Sequence, residues 1–427
     1  MKLKLLIAIP ALNEQDSIEA IIRQSIEARD YICRLSPITE VSIVVVSDGS
    51  TDATAQIAGR YAASIGLIVF PRNRGYGAAI KEAWRGSDAE VLGFLDADGT
   101  CDPRFFAPLC ARLIAESADV ALGCRLNPES CMPPLRRFGN VLFAALLTAF
   151  SSRRVRDTAS GMRVVRRASL QKLLPLPDGM HFTPAMSARS LLSDAVKTVE
   201  IDMPYHERGG KSKLRVVRDG IRFLRVILET AFLYRPSLAL NVAAAMLFAV
   251  ACALMAYPVW YYVQHRSVLP WMIYRFLVSD LCAIGACLLS CAGYLTGRMV
   301  SIALPKEISV RGHRIGHRFF RSPWFWFAPA LFTAFGCLQV FSSVMGRLRT
   351  GGTAEHWSRY VAMTFWVSTA LILAVTRIID DFLVMVAARL YYLDHLFEAG
   401  SGRAKPAASN SGPGPAINLQ PSPGPAP

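Results

Sequence analysis

A long uncharged run, residues 236–264, constrains the fold more than any other feature of this sequence. It contains no Lys, Arg, Asp or Glu, and Trp260, Tyr261 and Tyr262 lie close to its end. A helix of about 20 apolar residues crosses the hydrocarbon core of a bilayer, and aromatic side chains collect at the two interfaces. The run therefore predicts a membrane-spanning helix, with a separate domain before it.

Further apolar segments follow, so the sequence predicts a transmembrane domain of about four helices. The predicted spans are residues 236–264, 276–296, 323–345 and 360–376. The loop between the second and third spans is the richest in arginine, and such loops stay on the cytosolic side. We therefore expect the region before the first span and the C-terminus to be cytosolic.

Composition supports a membrane protein and argues against nucleic-acid binding. Of the 427 residues, 52% are hydrophobic, and the formal net charge is +15. A basic surface suits nucleic acid or an anionic membrane, and here the cations lie near predicted membrane edges. The ten cysteines include no C-x-x-C pair, so we expect neither a zinc site nor a disulfide framework.

The region before residue 216 alternates strand and helix patterns. Apolar runs at residues 4–9, 41–46, 67–70 and 91–95 predict four strands, and the intervening segments have helical periodicity. The first run resembles a signal peptide, but acidic residues follow it without a cleavage pattern, so we interpret it as a buried strand. This alternation predicts a mainly parallel α/β sheet, whose ligands bind at the carboxyl ends of the strands.

Two aspartates mark that edge directly after the fourth predicted strand. In an extended strand Asp96 and Asp98 point the same way, and paired carboxylates suit a divalent cation that takes its other ligands from phosphates and water. Asp48 and Gly75 follow the second and third strands. Each of these residues has an alternative explanation in ordinary turn chemistry. Their shared edge favours a metal and phosphate site.

Four motifs in this region resemble the nucleotide-sugar half of family 2 glycosyltransferases with the GT-A fold. They are IPALNE at 9–14, VVSDGSTDAT at 45–54, NRGYGAAI at 73–80 and FLDADG at 94–99. The resemblance implies a Rossmann-like sheet that binds a UDP- or GDP-linked sugar with Mg²⁺ or Mn²⁺. It implies Asp96 and Asp98 as metal ligands, with Asp98 the principal one. The implied nucleotide-sugar-binding residues are Pro10, Asn13, Glu14, Asp48, Gly75, Asp96, Ala97, Asp98, Arg208 and Lys213.

Later motifs narrow the resemblance to the polyprenyl-phosphate branch, typified by dolichol-phosphate mannose synthases. They are LGCR ending at Arg125, PLRRFGN at 134–140, RDTASGMRVVRR at 156–167 and RGGKSKL at 208–214. The branch transfers sugar to undecaprenyl or dolichyl phosphate. The implied acceptor-phosphate residues are Arg125, Arg136, Arg137, Asn140 and Ser212, and the implied catalytic residues are Asp98, Asp157 and Arg208. Asp157 fits equally well as a structural partner of Arg163.

The physical chemistry of a phosphate acceptor agrees with this composition. A phosphate monoester has a second pKa of about 6, so it is largely dianionic at neutral pH and attacks without a general base. It must instead be held beside a second anionic substrate, which requires arginine and lysine side chains. The predicted acceptor residues include three arginines.

The sequence divides into four predicted regions. Residues 1–215 form the catalytic domain, 216–236 an amphipathic juxtamembrane helix, 237–393 the transmembrane domain and 394–427 a disordered Pro/Gly-rich tail. On the juxtamembrane helix, one narrow face carries arginines that suit lipid head groups, namely Arg218, Arg222 and Arg225. The short apolar helix pattern at 135–150 predicts a second interfacial helix.

These features predict a membrane-bound inverting glycosyltransferase that moves a sugar from a nucleotide sugar to a polyprenyl phosphate. Two alternatives stay open, a processive polysaccharide synthase and a lipid-phosphate carrier or flippase with a non-catalytic soluble half. The synthases usually carry a Q-x-x-R-W motif, which this sequence lacks. We expect an integral protein of the plasma or inner membrane, or of the endoplasmic reticulum in a eukaryote. The second predicted span contains small residues that allow close packing between helices, namely Gly285, Ala286 and Ser290. The sequence therefore leaves open whether the protein forms a homo-oligomer.

Overall fold

The computed structural model describes residues 3–128, 130–151, 153–207, 216–304, 314–350 and 356–400. The chain divides into two units, Met1–Ile379 and Asp380–Pro427. The described part of the second unit, residues 380–400, is helical, and the rest of the predicted tail lies outside the described residues. The following description concerns the first unit.

Seven strands form a single mixed sheet. The strands are β1 (Leu3–Ala11), β2 (Ile38–Asp48), β3 (Gly66–Phe70), β4 (Val91–Leu95), β5 (Val120–Cys124), β6 (Met162–Arg166) and β7 (Thr198–Asp202). Their order is β3-β2-β1-β4-β6-β5-β7, and β6 is antiparallel to both neighbours while the other pairings are parallel. The predicted α/β fold with a mainly parallel sheet is confirmed, and its first four strands lie where the apolar runs place them.

Helices cover both faces of this sheet. They are α1 (Ile18–Leu35), α2 (Thr54–Gly59), α3 (Tyr76–Arg85), α4 (Phe106–Ala115), α5 (Pro134–Phe150), α6 (Leu170–Leu173), α7 (Phe182–Leu192) and α8 (Val216–Tyr234). Alternate residues of β1 belong to two different cores, with Leu5, Ile7 and Ile9 on one face and Leu6 and Ala8 on the other. Burial on both faces explains why β1 is a nearly continuous apolar run.

The strand register brings four loops to one edge of the sheet. Ala11 at the end of β1 pairs with Ser47 near the end of β2, and Asp48 pairs with Phe70 at the end of β3. On the other side of β1, Ala8 pairs with Phe94, so the aspartates after β4 lie at the same edge. The predicted convergence of these loops at the carboxyl ends of the strands is confirmed.

Further helices follow α8, namely α9 (Pro236–His265), α10 (Ile273–Ala303), α11 (Arg314–Phe320), α12 (Phe327–Thr350) and α13 (Trp357–Gly400). Within the described residues, two stretches are long and apolar enough to cross a membrane, Pro236–His265 and Pro270–Ala303. They contain the first and second predicted spans. The third and fourth predicted spans fall largely in α12 and α13, and their crossing of a membrane stays a prediction.

The loop before α7 packs tightly against the start of α3. Ala78 donates its backbone N–H to the carbonyl of Asp178 at 3.0 Å, and the Lys81 ammonium lies 2.6 Å from the Asp178 carboxylate. A Cβ at Gly77 would lie 2.2 Å from the carbonyl oxygen of Pro177 and 2.7 Å from the Phe182 ring. Position 77 therefore accepts no side chain without movement of the backbone.

We predict that Gly77→Ala lowers the free energy of unfolding by about 1–3 kcal/mol, because overpacking displaces the adjoining loop. Thermal or denaturant unfolding of the purified protein measures this. Gly86→Ala at the end of the same helix is the control, because a Cβ there approaches no neighbouring atom closer than 3.8 Å. We expect the control to change stability by less than about 0.5 kcal/mol. Equal effects of the two substitutions would contradict the packing argument.

Candidate active site

A cavity of about 490 Å³ opens at the carboxyl edge of the sheet. Its lining residues come from the loops after β1, β2, β3 and β4 and from α5 and α8, among other segments. The predicted site residues that line it are Pro10, Glu14, Asp48, Gly75, Asp96, Ala97, Asp98, Arg125, Arg136 and Asn140. The structure therefore brings residues of the predicted nucleotide-sugar set and the predicted acceptor set into one cavity.

Asp48 holds the loop that leads into α3. Its carboxylate accepts hydrogen bonds from the backbone N–H groups of Arg74 at 2.6 Å and Gly75 at 2.9 Å. Gly75 has φ 108°, a conformation that favours glycine, and a Cβ there would meet the carbonyl of Asp178 at 2.5 Å. Asp48 thus shapes the cavity wall as well as lining it.

Asn13 lies next to the cavity and links two of its loops. Its side-chain oxygen accepts the backbone N–H of Thr51 at 2.7 Å, and its own N–H donates to the Ser50 hydroxyl at 3.1 Å. Asn13 is exposed and outside the cavity lining, with φ 51°. Its bonds to Ser50 and Thr51 fix the relative position of the loops after β1 and β2.

Asp96 lies against the side chain of Tyr76. The Tyr76 hydroxyl donates to Asp96 Oδ1 at 2.6 Å, and a Cβ at Gly161 would lie 1.8 Å from Asp96 Oδ2. Burial, and then the nearby Asp96 charge, raise the pKa of Tyr76 well above its ordinary value, so the phenol stays a donor at neutral pH. Tyr76 and the absence of a side chain at Gly161 together define the position of the Asp96 carboxylate.

Asp98 has different partners from Asp96. Its Oδ1 accepts the Thr100 hydroxyl at 2.7 Å and the Thr100 N–H at 3.2 Å, and only 8% of the residue is exposed. Both aspartates line the cavity, and their oxygens are ligands that Mg²⁺ and Mn²⁺ favour. Among the described residues no group of three or more His, Cys, Asp or Glu side chains could hold a metal. The donor set fits a cation that takes its remaining ligands from phosphate and water.

Arg125, another residue of the cavity lining, is fixed by a buried ion pair with Asp157. The guanidinium donates from Nε to Asp157 Oδ2 at 2.7 Å and from Nη2 to Oδ1 at 2.9 Å, and Asn140 donates to Oδ1 at 2.6 Å. The Arg125 guanidinium also lies 5.4 Å from the Tyr205 ring centroid. Burial raises the pKa of Asp157, but Arg125 and the hydrogen bonds outweigh burial and lower it to about 2. Asp157 is therefore ionised and holds Arg125 towards the cavity.

The structure locates the remaining predicted residues as follows. Asp157 is fully buried beneath Arg125, outside the cavity lining, and its partner is Arg125 rather than Arg163. Arg163 is also buried and donates to the carbonyls of Ser160 and Thr158. Arg137 is exposed on α5 and outside the lining. Three predicted residues, Arg208, Ser212 and Lys213, lie outside the described residues.

Several residues of the cavity were not predicted as site residues, among them Tyr76, Tyr205, Arg222 and Phe223. Tyr76 lies inside the NRGYGAAI motif, in which only the glycines suggested a role. Tyr205 lies in the loop that follows β7. Arg222 and Phe223 line the cavity from α8, although the sequence assigned Arg222 to a lipid-facing surface. Helical periodicity identified the basic face of α8, but it does not say what that face meets.

Asp157 also makes a testable contribution to stability. Its pKa lies below its ordinary value, so its stabilisation is present above about pH 4 and is lost as pH falls towards 2. We predict that the wild-type protein loses about 2 kcal/mol of unfolding free energy relative to Asp157→Asn between pH 5 and pH 2. Denaturant unfolding across this range measures the difference. The exposed Asp30→Asn variant should follow the wild-type curve, and parallel curves for wild type and Asp157→Asn would contradict the prediction.

Comparisons with known proteins agree with this arrangement. Residues 6–174 match the family model for glycosyl transferase family 2. A dolichyl-phosphate hexose transferase of Haloferax volcanii is 33% identical over 175 residues, which cover 40% of this chain and 73% of that protein. The low-salt glycan biosynthesis hexosyltransferase Agl6 of the same organism is 31% identical over 229 residues, covering 53% of each protein, so the match spans about half of Agl6.

A solved structure also resembles the chain. Glucosyl-3-phosphoglycerate synthase from Mycobacterium tuberculosis, in complex with UDP, is 20% identical with a TM-score of 0.41, covering 53% of this chain and 80% of that one. The family match extends over β1 to β6 and includes both the Asp96–Asp98 pair and Arg125. The chain therefore belongs to glycosyltransferase family 2, and its relatives confirm the predicted resemblance to the polyprenyl-phosphate branch.

Proposed function

We propose that this protein transfers a sugar from a nucleoside-diphosphate sugar to a membrane polyprenyl phosphate, with inversion at the anomeric carbon. One observation carries the proposal: carboxylates of the family's nucleotide-sugar motifs and arginines of the acceptor motifs line a single cavity. The dolichyl-phosphate hexose transferase among its relatives supports a lipid-phosphate acceptor.

The acceptor oxygen requires positioning more than activation. A phosphate monoester is largely dianionic at neutral pH, because its second pKa is about 6, so the enzyme needs no base to create the nucleophile. Arg125, held by Asp157, and Arg136 on α5 orient this phosphate by charge-assisted hydrogen bonds. One acceptor oxygen bonds to the anomeric carbon as the bond from that carbon to the leaving diphosphate breaks.

The donor side holds the nucleoside diphosphate. Asp98, with Asp96 beside it, would bind the Mg²⁺ or Mn²⁺, which offsets negative charge on the leaving diphosphate when bound. The predicted contributions of Arg208 and Lys213 belong to the same side. Asp157 then acts as a positioning residue for Arg125, since its carboxylate is fully buried.

The outer surfaces of α5 and α8 support a membrane-bound acceptor. On α5, Leu135 and Phe138 are 63% and 67% exposed, and on α8 Ile221 is 63% exposed. Residues of the same helices, Leu135 among them, also line the cavity, and the ring centroids of Phe143 and Phe223 lie 6.1 Å apart between the two helices. Amphipathic helices of this kind lie in the bilayer interface, which would bring a lipid phosphate to the cavity. The apolar stretches Pro236–His265 and Pro270–Ala303 support integral membrane attachment.

A donor panel tests the proposal directly. The purified protein is incubated with undecaprenyl or dolichyl phosphate, Mg²⁺ or Mn²⁺, and UDP- or GDP-linked hexoses, and glycolipid products are identified by mass spectrometry. We expect one donor to yield a polyprenyl-phosphate sugar of inverted anomeric configuration. No lipid-linked product from any donor would overturn the proposal.

In the productive assay, we predict that Asp98→Asn lowers the rate about 100-fold or more, because it removes a charge that binds the cation. Asp88→Asn is the matched control, since Asp88 is exposed and pairs with Lys4 away from the cavity. Calorimetric titration with Mn²⁺ and nucleoside diphosphate should show weaker cation binding in Asp98→Asn alone. Wild-type turnover by Asp98→Asn would remove Asp98 from the mechanism.

A second substitution tests the support of Asp96. We predict that Tyr76→Phe raises the KM for the donor about tenfold, because Asp96 loses one hydrogen bond and its fixed orientation. The acceptor KM should stay unchanged. Tyr61→Phe is the matched control, because the Tyr61 hydroxyl also donates to a carboxylate, Glu19 at 2.9 Å, on the surface. An unchanged donor KM in Tyr76→Phe would contradict this role.

A further inference from the structure

We infer that Arg222 of α8 binds the phosphate monoester of the acceptor. This inference rests on the proposed function and adds a residue that neither the sequence motifs nor the resemblance assigns. Arg222 lines the same cavity as Arg125 and Arg136. The three arginines come from three different elements, the loop after β5, α5 and α8.

The orientation of α8 separates Arg222 from the helix surface that faces outward. Gly220, Arg222 and Phe223 line the cavity, whereas Ile221 and Leu224 are 63% and 40% exposed. Arg225, one turn further on, lies outside the cavity lining and instead borders the outer surface of the helix together with Ile221 and Leu224. The two arginines therefore meet different surroundings although they lie on one predicted basic face.

The ion pairs of the two arginines differ in the same way. Arg225 donates from Nε to Glu229 at 2.7 Å, a pair whose side chains are 78% and 59% exposed. Arg222 lies 3.3 Å from Asp219, whose side chain is only 7% exposed. A buried carboxylate restricts the guanidinium to the cavity wall, and about half of the Arg222 side chain stays accessible to a ligand.

The surroundings of Arg222 favour the acceptor over the donor diphosphate. The cavity lining that α5 and α8 contribute is apolar at Leu135, Phe143 and Phe223, whereas the carboxylates of Asp96 and Asp98 follow β4. An anion joined to a hydrocarbon chain fits a cation beside apolar side chains, because the chain leaves water as the charge is paired. A dianionic phosphate monoester on a prenyl chain has this chemistry.

Steady-state kinetics test the inference with the full-length protein in detergent micelles. We expect Arg222→Gln to raise the KM for polyprenyl phosphate about tenfold or more, while the donor KM stays within about twofold. Arg222→Lys should recover part of the loss, because it restores the charge without the bidentate geometry. Arg225→Gln is the matched control on the same helix, and its acceptor KM should stay within about twofold of wild type.

Inhibition separates a binding role from a structural one. Farnesyl phosphate, a soluble prenyl phosphate, should inhibit Arg222→Gln about tenfold more weakly than wild type, whereas inhibition by the nucleoside diphosphate should be unchanged. Flotation with vesicles containing phosphatidylglycerol tests the other source of phosphate, lipid head groups. Unfolding temperatures confirm that each variant is folded.

The outcomes are distinct. No product from the wild-type protein would overturn the proposed function itself. An active wild type with an unchanged acceptor KM in Arg222→Gln would overturn the inference alone. An equal rise in the donor and acceptor KM values, or weaker vesicle flotation without a change in farnesyl phosphate inhibition, would also overturn it and assign Arg222 to structure or to head-group contact.

Discussion

The buried ion pair between Arg125 and Asp157 connects the parts of the protein that form the cavity. Arg125 follows β5, Asp157 lies in the loop before β6, and Asn140 of α5 donates to the same carboxylate. Two buried charges lose their hydration, so such a pair is stable only when both groups have further hydrogen bonds. Asp157 has them from backbone and side-chain donors, including the N–H of Arg125. The pair therefore fixes one arginine at the cavity and attaches α5 to the sheet.

The antiparallel strand β6 explains how this loop reaches the site. Leu95 at the end of β4 pairs with Met162 at the beginning of β6, so the residues before β6 lie beside the aspartates that follow β4. Gly161 abuts Asp96 for this reason, and the same loop contains Asp157. If β6 ran parallel, its preceding loop would lie at the amino ends of the other strands. The antiparallel direction of β6 thus places the loop that contains Asp157 next to Asp96, and so brings the proposed donor and acceptor sides together.

The positions of the loops on the proposed donor side were more predictable from the sequence than the contacts on the proposed acceptor side. The loops after β1, β2 and β4 were predictable because parallel strands must end at one edge, and the apolar runs gave those ends closely. The pairing of Asp157 with Arg125 was not predictable from spacing, since they are 32 positions apart, one after β5 and the other before the antiparallel strand β6. Tyr76 was not predicted as a site residue, because only the glycines of its motif suggested a role. Its contact with Asp96 depends on how α3 packs against β4.

The helices α5 and α8 show why the acceptor side depends on tertiary structure. Periodicity predicted that both are amphipathic, but each has two functional faces, one lining the cavity and one exposing apolar side chains. A helix advances about 100° per residue, so rotating α8 enough to turn Ile221 inward would also displace Arg222 and Phe223 from their present positions in the cavity lining. The contact between Phe143 and Phe223 opposes such a rotation. The position of the apolar surface and the position of the arginines in the cavity are therefore set together, which is the geometry that the proposed acceptor, a hydrocarbon chain with a charged end, would require.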